Sequence, residues 1–404
     1  MKLLVVMPYY KPAYVYGGPT RSVSMLCEAL VQLGVQVSVL TTNANGNQRL
    51  AVPLGEPVNL NGVEVTYYPL ASPSLGSFFY SPELVQACIQ KLHYYDIVDL
   101  EVFWTHAAGP VSRACQHQGI PYLFSLRGQL LPWALRRSHL KKQLFMMVVG
   151  RHFLNEAAAL HATDLSEATS VRKLNFTPEI FIVPNGIDTS YFAQLPKRGQ
   201  LLRKLGIPEN AFVILFLGRL HPIKRPDIAI EVLARLQSDH PNLHLILVGP
   251  DEATMSSSLQ AQARILGCSE RVHLLGLLEG KDRLQAFADA DLLLGPTEVQ
   301  ENFGMAAAEA LAAGVPILVS TGVPVGYWAQ QAGAGRQVPC TIEDFTLAAK
   351  DMLSDPPRLK QYAHQGRNLA KKKFDISAVA QEMLTQYQAI ISLGHPITNL
   401  GSSS

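Results

Sequence analysis

The chain has 404 residues, a length that suits two or three domains. Hydrophobic residues make up 48% and charged residues 16%, which excludes a disordered or solvating chain. The net charge of +2 gives no general argument for nucleic acid as a partner.

The N-terminus reads MKLLVVMPYYKP. Its apolar run is too short for the core of a signal peptide and is cut by Pro8 and Pro12. It reads instead as the first buried strand of a parallel sheet. No stretch reaches the roughly 20 apolar residues of a membrane span, so a soluble cytoplasmic protein is expected, with peripheral contact at the inner membrane face left open. Cys27, Cys88, Cys115, Cys268 and Cys340 are scattered and odd in number, with no CxxC pair, and read as reduced core thiols.

Strand and helix patterns then alternate. A helix around TRSVSMLCEALVQLG follows the first strand, then come VQVSVLTT, DIVDL, PYLFSL and FIVPN. After residue 195 the pattern restarts with AFVILFLG, DIAIEVLARLQ, LHLILVG, VHLLG, DLLLGP, the AAAEALAAG helix and VPILVS. Such alternation implies right-handed βαβ units and parallel sheets covered on both faces. Two series predict an α/β protein of two doubly wound, Rossmann-like domains facing across a cleft, with ligands at the carboxyl ends of the strands.

The expected boundary falls in PNGIDTSYFAQLPKRGQ, which is rich in turn formers and ends basic. This gives an N-terminal domain over 1–190 and a second domain over 191–374. The helical pattern of 375–393 is expected to cross back onto the first domain, and 394–404 reads as a frayed tail.

Two stretches carry chemistry. In LFLGRLHPIKRPD a strand runs into Gly218, then Arg219, with Lys224 soon after. A glycine at a strand's carboxyl end lets the backbone approach a ligand. The fork of Arg219 and the point charge of Lys224 suit a diphosphate, although a solvated basic loop has the same look.

In ENFGMAAAE the two acids, Glu301 and Glu309, are separated by roughly 80° around a helix and do not share a face. The stretch reads better as a loop up to Gly304 and a helix from there. The amides of Phe303, Gly304 and Met305 then point at an anion, aided by the helix dipole. Glu309 lies within reach of ribose hydroxyls and Glu301 of another part of the same ligand.

The combination resembles the retaining glycosyltransferases of family 4, which have the GT-B fold. The pieces that carry the resemblance are GGPTRSVSMLCEAL, VPNGID, GRLHPIK, ENFGMAAAEALAAGVPILVS and AGAGRQVP, spread over nearly the whole chain. The piece LRGQLLPWALRRS resembles a segment of members that build surface polysaccharides.

The resemblance implies that Arg219 and Lys224 hold the donor diphosphate and stabilise it as it leaves. It implies that Glu309 binds the ribose and Glu301 the donor sugar. Base recognition is expected from the backbone around Leu277, and Gly17 and Gly18 let the first loop pack against phosphates or acceptor. No metal and no cofactor is expected beyond the nucleoside-diphosphate sugar, because the cations and helix terminus supply the positive field.

One departure stands out. Many relatives carry a histidine after the strand matching PYLFSL, where this chain has Ser125, Leu126, Arg127 and Gly128. Arg127 cannot act as a base. Two kinds of role are open to it: binding a phosphate or acidic sugar, or pairing with a carboxylate such as Glu101. In front-side attack with retention the leaving phosphate takes the acceptor's proton, so loss of a base is survivable. His106 is a further candidate for the cleft.

The stretch 131–154 carries Arg136, Arg137, Lys141, Lys142 and Arg151 among apolar residues. It reads as a basic amphipathic helix, either a solvated face or one lying on an anionic membrane.

The implied activity is transfer of a hexose from a UDP- or GDP-sugar to a hydroxyl of a glycan or lipid-linked glycan. Alternatives are a non-catalytic nucleotide-sugar-binding subunit and a GT-B nucleotide-sugar epimerase. A phosphorylase lacks its cofactor lysine context. A glycosidase is disfavoured, because nothing sets Glu301 and Glu309 across a scissile bond.

Overall fold

Uncharged runs of Val, Ile and Leu form strands buried on both faces, and their side chains alternate between two cores. In the computed structural model, which describes residues 1–71, 78–136, 138–251 and 253–393, Leu3 and Val5 enter one core while Leu4 and Val6 enter another. Val213 and Leu215 separate from Ile214 and Phe216 in the same way. Arg137 and the 394–404 tail lie outside the described residues.

The chain divides into two compact units, Met1–Gly186 with the helix Ile376–Leu393, and Ile187–Asp375. The first unit holds β1 (Lys2–Val6), β2 (Gln36–Thr42), a small hairpin of β3 (Ala44–Asn45) and β4 (Gln48–Arg49), β5 (Pro57–Leu60) and β6 (Val63–Tyr68). It continues with β7 (Ile97–Glu101), β8 (Tyr122–Ser125), β9 (Ala159–Ala162) and β10 (Glu179–Ile182). The sheet order is β10-β9-β8-β7-β1-β2-β6-β5, parallel except for the edge pair β5–β6.

The second unit holds β11 (Phe212–Leu217), β12 (Leu243–Val248), β13 (Val272–Leu274), β14 (Leu292–Gly295), β15 (Ile317–Ser320) and β16 (Gly335–Val338). Its order is β13-β12-β11-β14-β15-β16, all parallel. Each sheet therefore reverses its strand order once, between β1 and β7 in the first and between β11 and β14 in the second. The loops leaving such a switch point splay apart and form the natural ligand crevice. The α/β expectation of two doubly wound parallel sheets is what the fold shows.

The helix Ile376–Leu393 buries Val379, Ala380, Met383, Leu384, Tyr387 and Ile390 in the first unit's core, along one helical stripe.

The basic segment departs from the single helix expected of it. Pro132–Arg136 and His139–Phe145 are separate helices, with Ser138 between them in the left-handed region (φ 58°). The second continues through a wide turn, Met146–Gly150, into Arg151–Asn155. Phe145, Met146 and Val149 pack against the first unit's core, whereas Leu140, Leu144, Met147 and Val148 are exposed. All five cysteines are free thiols. Among the described residues no helix is long and apolar enough to cross a membrane.

The tightest backbone constraint lies at the carboxyl ends of β11 and β12. Gly249 has φ 151°, and a Cβ there would stand 1.8 Å from the Gly218 carbonyl oxygen. Gly249→Ala is expected to cost about 3 kcal/mol or more, because backbone rather than a pliable side chain must give way. The urea midpoint of the purified variant checks this; an unchanged midpoint would show that the approach relaxes freely.

Candidate functional site

The second unit's site grows from two loops that flank its switch point. The first follows β11. Gly218 N–H donates to the Val248 carbonyl (2.9 Å), Leu220 N–H to Pro250 (2.9 Å) and Gly249 N–H to Gly276 (2.8 Å). The ends of three neighbouring strands are thus stitched together through backbone. Half-buried Arg219 leaves this seam, and Lys224 follows on the short turn Pro222–Lys224.

The second loop follows β14 and clamps the first. The Ile223 carbonyl accepts from Thr297 Oγ1 (3.0 Å) and from Glu298 N–H (3.0 Å). On its other side Glu301 N–H donates to Gly322 (2.7 Å), and Val325 N–H to Phe303 (3.1 Å). Gly304 then adopts φ 101° as the cap of the helix Met305–Ala313. A Cβ there would come within 2.5 Å of Val323 Cγ1, so glycine is required twice over. No side chain caps this helix, and its first-turn amides have no intrahelical partner.

The sequence-derived residues fall into place as follows. Lys224 and Glu301 meet directly, Nζ to Oε1 at 2.6 Å, each side chain 22% exposed. Glu309 is buried and bonded to Arg283, a residue on the helix Gly280–Asp289 that no motif singled out. The Phe303 ring is buried edge-on against Phe374 (5.3 Å), which leaves its backbone as the part available to a ligand. Met305 is half-buried at the helix start, and Leu277 is exposed on the loop after β13. Two carboxylates are thereby each paired with a cation, beside a helix start that no side chain caps. An uncapped helix start of this kind is an anion-binding element.

The first unit's candidates sit on loops leaving its own sheet. Gly17 takes φ 76° immediately before the helix Gly18–Gln32, and its N–H donates to the Tyr14 carbonyl (2.9 Å). Of the roles open to Arg127, the structure holds the carboxylate pair. Its Nε and Nη2 donate to Glu101 at 2.8 and 2.6 Å, Nη1 donates to Asn185, and the side chain is 3% exposed. Arg127 itself has φ 47°, a strained value for a non-glycine residue. The following Gly128 N–H donates to buried Glu167, which also accepts from Thr163 N–H (2.8 Å) and Oγ1 (3.0 Å). His106 lies apart from this network, with Nδ1 accepting from Ser81 N–H (3.3 Å) and its ring against Tyr80 (4.3 Å).

Beneath Arg127 lies a buried chain that sequence patterns did not reveal. Asp99 Oδ2 accepts from Tyr387 (2.7 Å) and contacts Ser125 Oγ (3.1 Å). Ser125 Oγ also meets His161 Nδ1 (3.0 Å), and His161 Nε2 meets the Val183 carbonyl (2.8 Å). A carbonyl only accepts, so Nε2 carries the hydrogen and Nδ1 of neutral His161 is left an acceptor beside the Ser125 hydroxyl, which donates to Asp99. Burial, reinforced by the Glu101 charge, pushes Asp99 up to about 7, against the Tyr387 and Ser125 hydrogen bonds and the Arg127 charge. Burial and the Arg127 charge push His161 down to about 3.

Both units match models of known families. Residues 197–369 match the model of "Glycosyl transferases group 1", and residues 17–186 that of "Glycosyl transferase 4-like domain". The chain is similar to the D-inositol 3-phosphate glycosyltransferase of Stackebrandtia nassauensis, 25% identical over 395 residues, 92% of this chain and 86% of that protein. It is similar to the one of Actinosynnema mirum at 28% over 245 residues, 57% and 58% of the two chains. Among solved structures, Anabaena HepE in complex with UDP and glucose superposes with a TM-score of 0.75 at 21% identity, covering 96% of this chain and 100% of that one. WaaG, a glycosyltransferase involved in lipopolysaccharide biosynthesis, gives 0.65 at 21%, covering 95% and 99%.

Removing one partner of the buried Arg127–Glu101 pair strands the other. Arg127→Ala is expected to destabilise the first unit by about 3–5 kcal/mol, read from urea unfolding, and an Arg127→Met, Glu101→Met double variant should recover much of that loss. Asp99 gives a pH signature. Its folded pKa, about 7, lies above the ordinary 3.8, so the native state holds the extra proton between those values. That contribution is present at low pH and lost as pH rises towards 7. Asp99→Asn should therefore gain stability relative to wild type between pH 5 and pH 7.5, with His161 cancelling in the difference; a pH-independent difference would exclude the proton on Asp99.

Proposed function

The chain belongs to the group 1 glycosyl transferases, with a 4-like domain ahead of the group 1 domain and the GT-B fold, and from that membership we propose a retaining hexosyltransferase that uses a nucleoside-diphosphate sugar without a metal. The observation that carries the reading is the juxtaposition of Lys224, Glu301 and the uncapped helix start at Gly304, on two loops that flank one switch point. UDP is the favoured nucleotide, since HepE is described with UDP, glucose and UDP-glucose.

In this reading Arg219 and Lys224 bind the diphosphate and neutralise charge as the sugar–phosphate bond breaks. The amides of Phe303 to Met305 add dipolar stabilisation. Glu301 orients Lys224 and meets the sugar hydroxyls, and Glu309, itself oriented by Arg283, meets the ribose. Gly218 and the backbone around Leu277 let the nucleotide lie close. Gly17 and Gly18 keep the first unit's loop before the helix Gly18–Gln32 open to an acceptor. The acceptor hydroxyl attacks the anomeric carbon on the face the diphosphate leaves, and a leaving phosphate oxygen takes the hydroxyl proton. Arg127, committed to Glu101, acts as a positioning residue that shapes its loop.

The acceptor is proposed to be a hydroxyl of a glycan or lipid-linked glycan, met at the cytoplasmic face of an anionic membrane. The exposed Leu140, Leu144, Met147 and Val148, together with exposed Arg136 and Lys141, support that surface.

Incubation with UDP- and GDP-sugars and a crude lipid acceptor should release the nucleoside diphosphate, and chelation of divalent ions should leave the rate unchanged. Binding without turnover would favour a non-catalytic nucleotide-sugar-binding subunit. Lys224→Ala and Glu309→Ala are each expected to weaken nucleotide binding by about 1–3 kcal/mol, the scale of a lost charged hydrogen bond. Calorimetry showing wild-type affinity in both would overturn the site.

A further inference from the structure

The segment after His139 has a second apolar face, and it is turned inwards. Phe145, Val149 and Phe153 form one wall of a cavity of about 490 Å³ within the first unit, and Ala114 and Ile89 stand among the residues of its other walls. Its volume falls within the ordinary range of ligand sites. The helix Ala108–Gln118 reaches this wall because Gly109 has no side chain, a Cβ there standing 2.7 Å from Phe153 Cε2.

The segment that supplies this wall carries one sign of charge. Between residues 131 and 155 the sequence has Arg136, Arg137, Lys141, Lys142 and Arg151 and no carboxylate. Lys142 is held by the Ala134 carbonyl (2.6 Å) and Arg151 by that of Leu174 (2.8 Å). Arg113 lines the cavity and is exposed, with its guanidinium carbon 5.9 Å from the centre of the Phe153 ring. Besides Arg113 the polar side chains of the lining are Thr105, His106 and His117, with no carboxylate and no amide. Apolar walls with a cationic rim suit a hydrocarbon chain that ends in a phosphate, and the same segment presents Leu144, Met147 and Val148 outwards beside it.

We propose that this cavity takes up one hydrocarbon chain of an anionic membrane phospholipid, with Arg113 at the phosphate. Lipid capture here is separate from the donor site and from the acceptor hydroxyl. It rests on the membrane-facing reading of residues 131–154, yet the two are separable, because a soluble single-chain lipid tests the cavity without a bilayer.

The probe is dodecyl phosphate below its micelle concentration, added to the full chain and read by thermal shift and calorimetry. Dodecyl phosphate should stabilise the protein, since binding to the native state raises the melting temperature. Inorganic phosphate and dodecyl maltoside should not. Ala114→Trp, which fills the cavity, and Arg113→Glu at its rim should each weaken dodecyl phosphate binding about tenfold or more, a difference well within calorimetric reach. UDP-induced stabilisation serves as the check that each variant is folded. Should Ala114→Trp fail that check, the exposed Arg113→Glu carries the test alone. Equal dodecyl phosphate binding by wild type and Arg113→Glu, or none by wild type, overturns the cavity site. Flotation on phosphatidylglycerol vesicles that persists without any dodecyl phosphate binding would likewise overturn the cavity while leaving the membrane surface standing.

Discussion

The second unit's site depends on a backbone constraint: Gly249 packed against the Gly218 carbonyl, where the ends of β11 and β12 are drawn together. Strand ends are the only place where a parallel sheet frees its backbone for a ligand. Drawing them close fixes the direction in which Arg219 and Lys224 depart. Thr297 and Glu298 then tie the next loop to Ile223, which links the cation-bearing loop to the segment that leads into the helix at Gly304. For the proposed donor site, such a frame would pre-organise positive charge before an anion arrives.

Charge in the two units is handled in opposite ways. In the second unit Glu309 is buried with Arg283, but the Lys224–Glu301 pair is partly exposed and keeps solvent contact. In the first unit Arg127, Glu101 and Glu167 are buried and saturated with hydrogen bonds. Buried pairs of this sort contribute little net stability but tolerate no single deletion. They hold the strained Arg127 backbone in place, which is a task of shape rather than of chemistry.

Sequence reading reached what is local and periodic. Buried strand runs, Gly218 at a strand end and the loop-to-helix change at Gly304 each leave a signature within a few residues, and together they yielded the fold class. It missed what is assembled across long separations. Arg283 sits in an ordinary polar helix and gains meaning only by facing Glu309. Asp99, Ser125, His161 and Tyr387 come from β7, β8, β9 and the helix Ile376–Leu393, with no shared motif. Short strands such as Ala159–Ala162 were also missed, since so few residues establish no period. The break at Ser138 escaped notice because the apolar and basic pattern runs through it unchanged.

Tyr387 has a consequence for the order of events during synthesis. The helix that carries it completes the core of the first unit, and the whole second unit is spliced into the chain between Gly186 and Ile376. Those two residues are packed so closely that a Cβ on Gly186 would lie 2.3 Å from Ile376 Cδ1. A ribosome therefore releases the second unit before the first can close. Until residues 376–393 emerge, the nascent first unit exposes the groove that Val379, Met383 and Tyr387 will fill, and Asp99 waits without its phenol. For this chain the usual rule that the N-terminal domain folds first is inverted: its N-terminal half is the last to be finished.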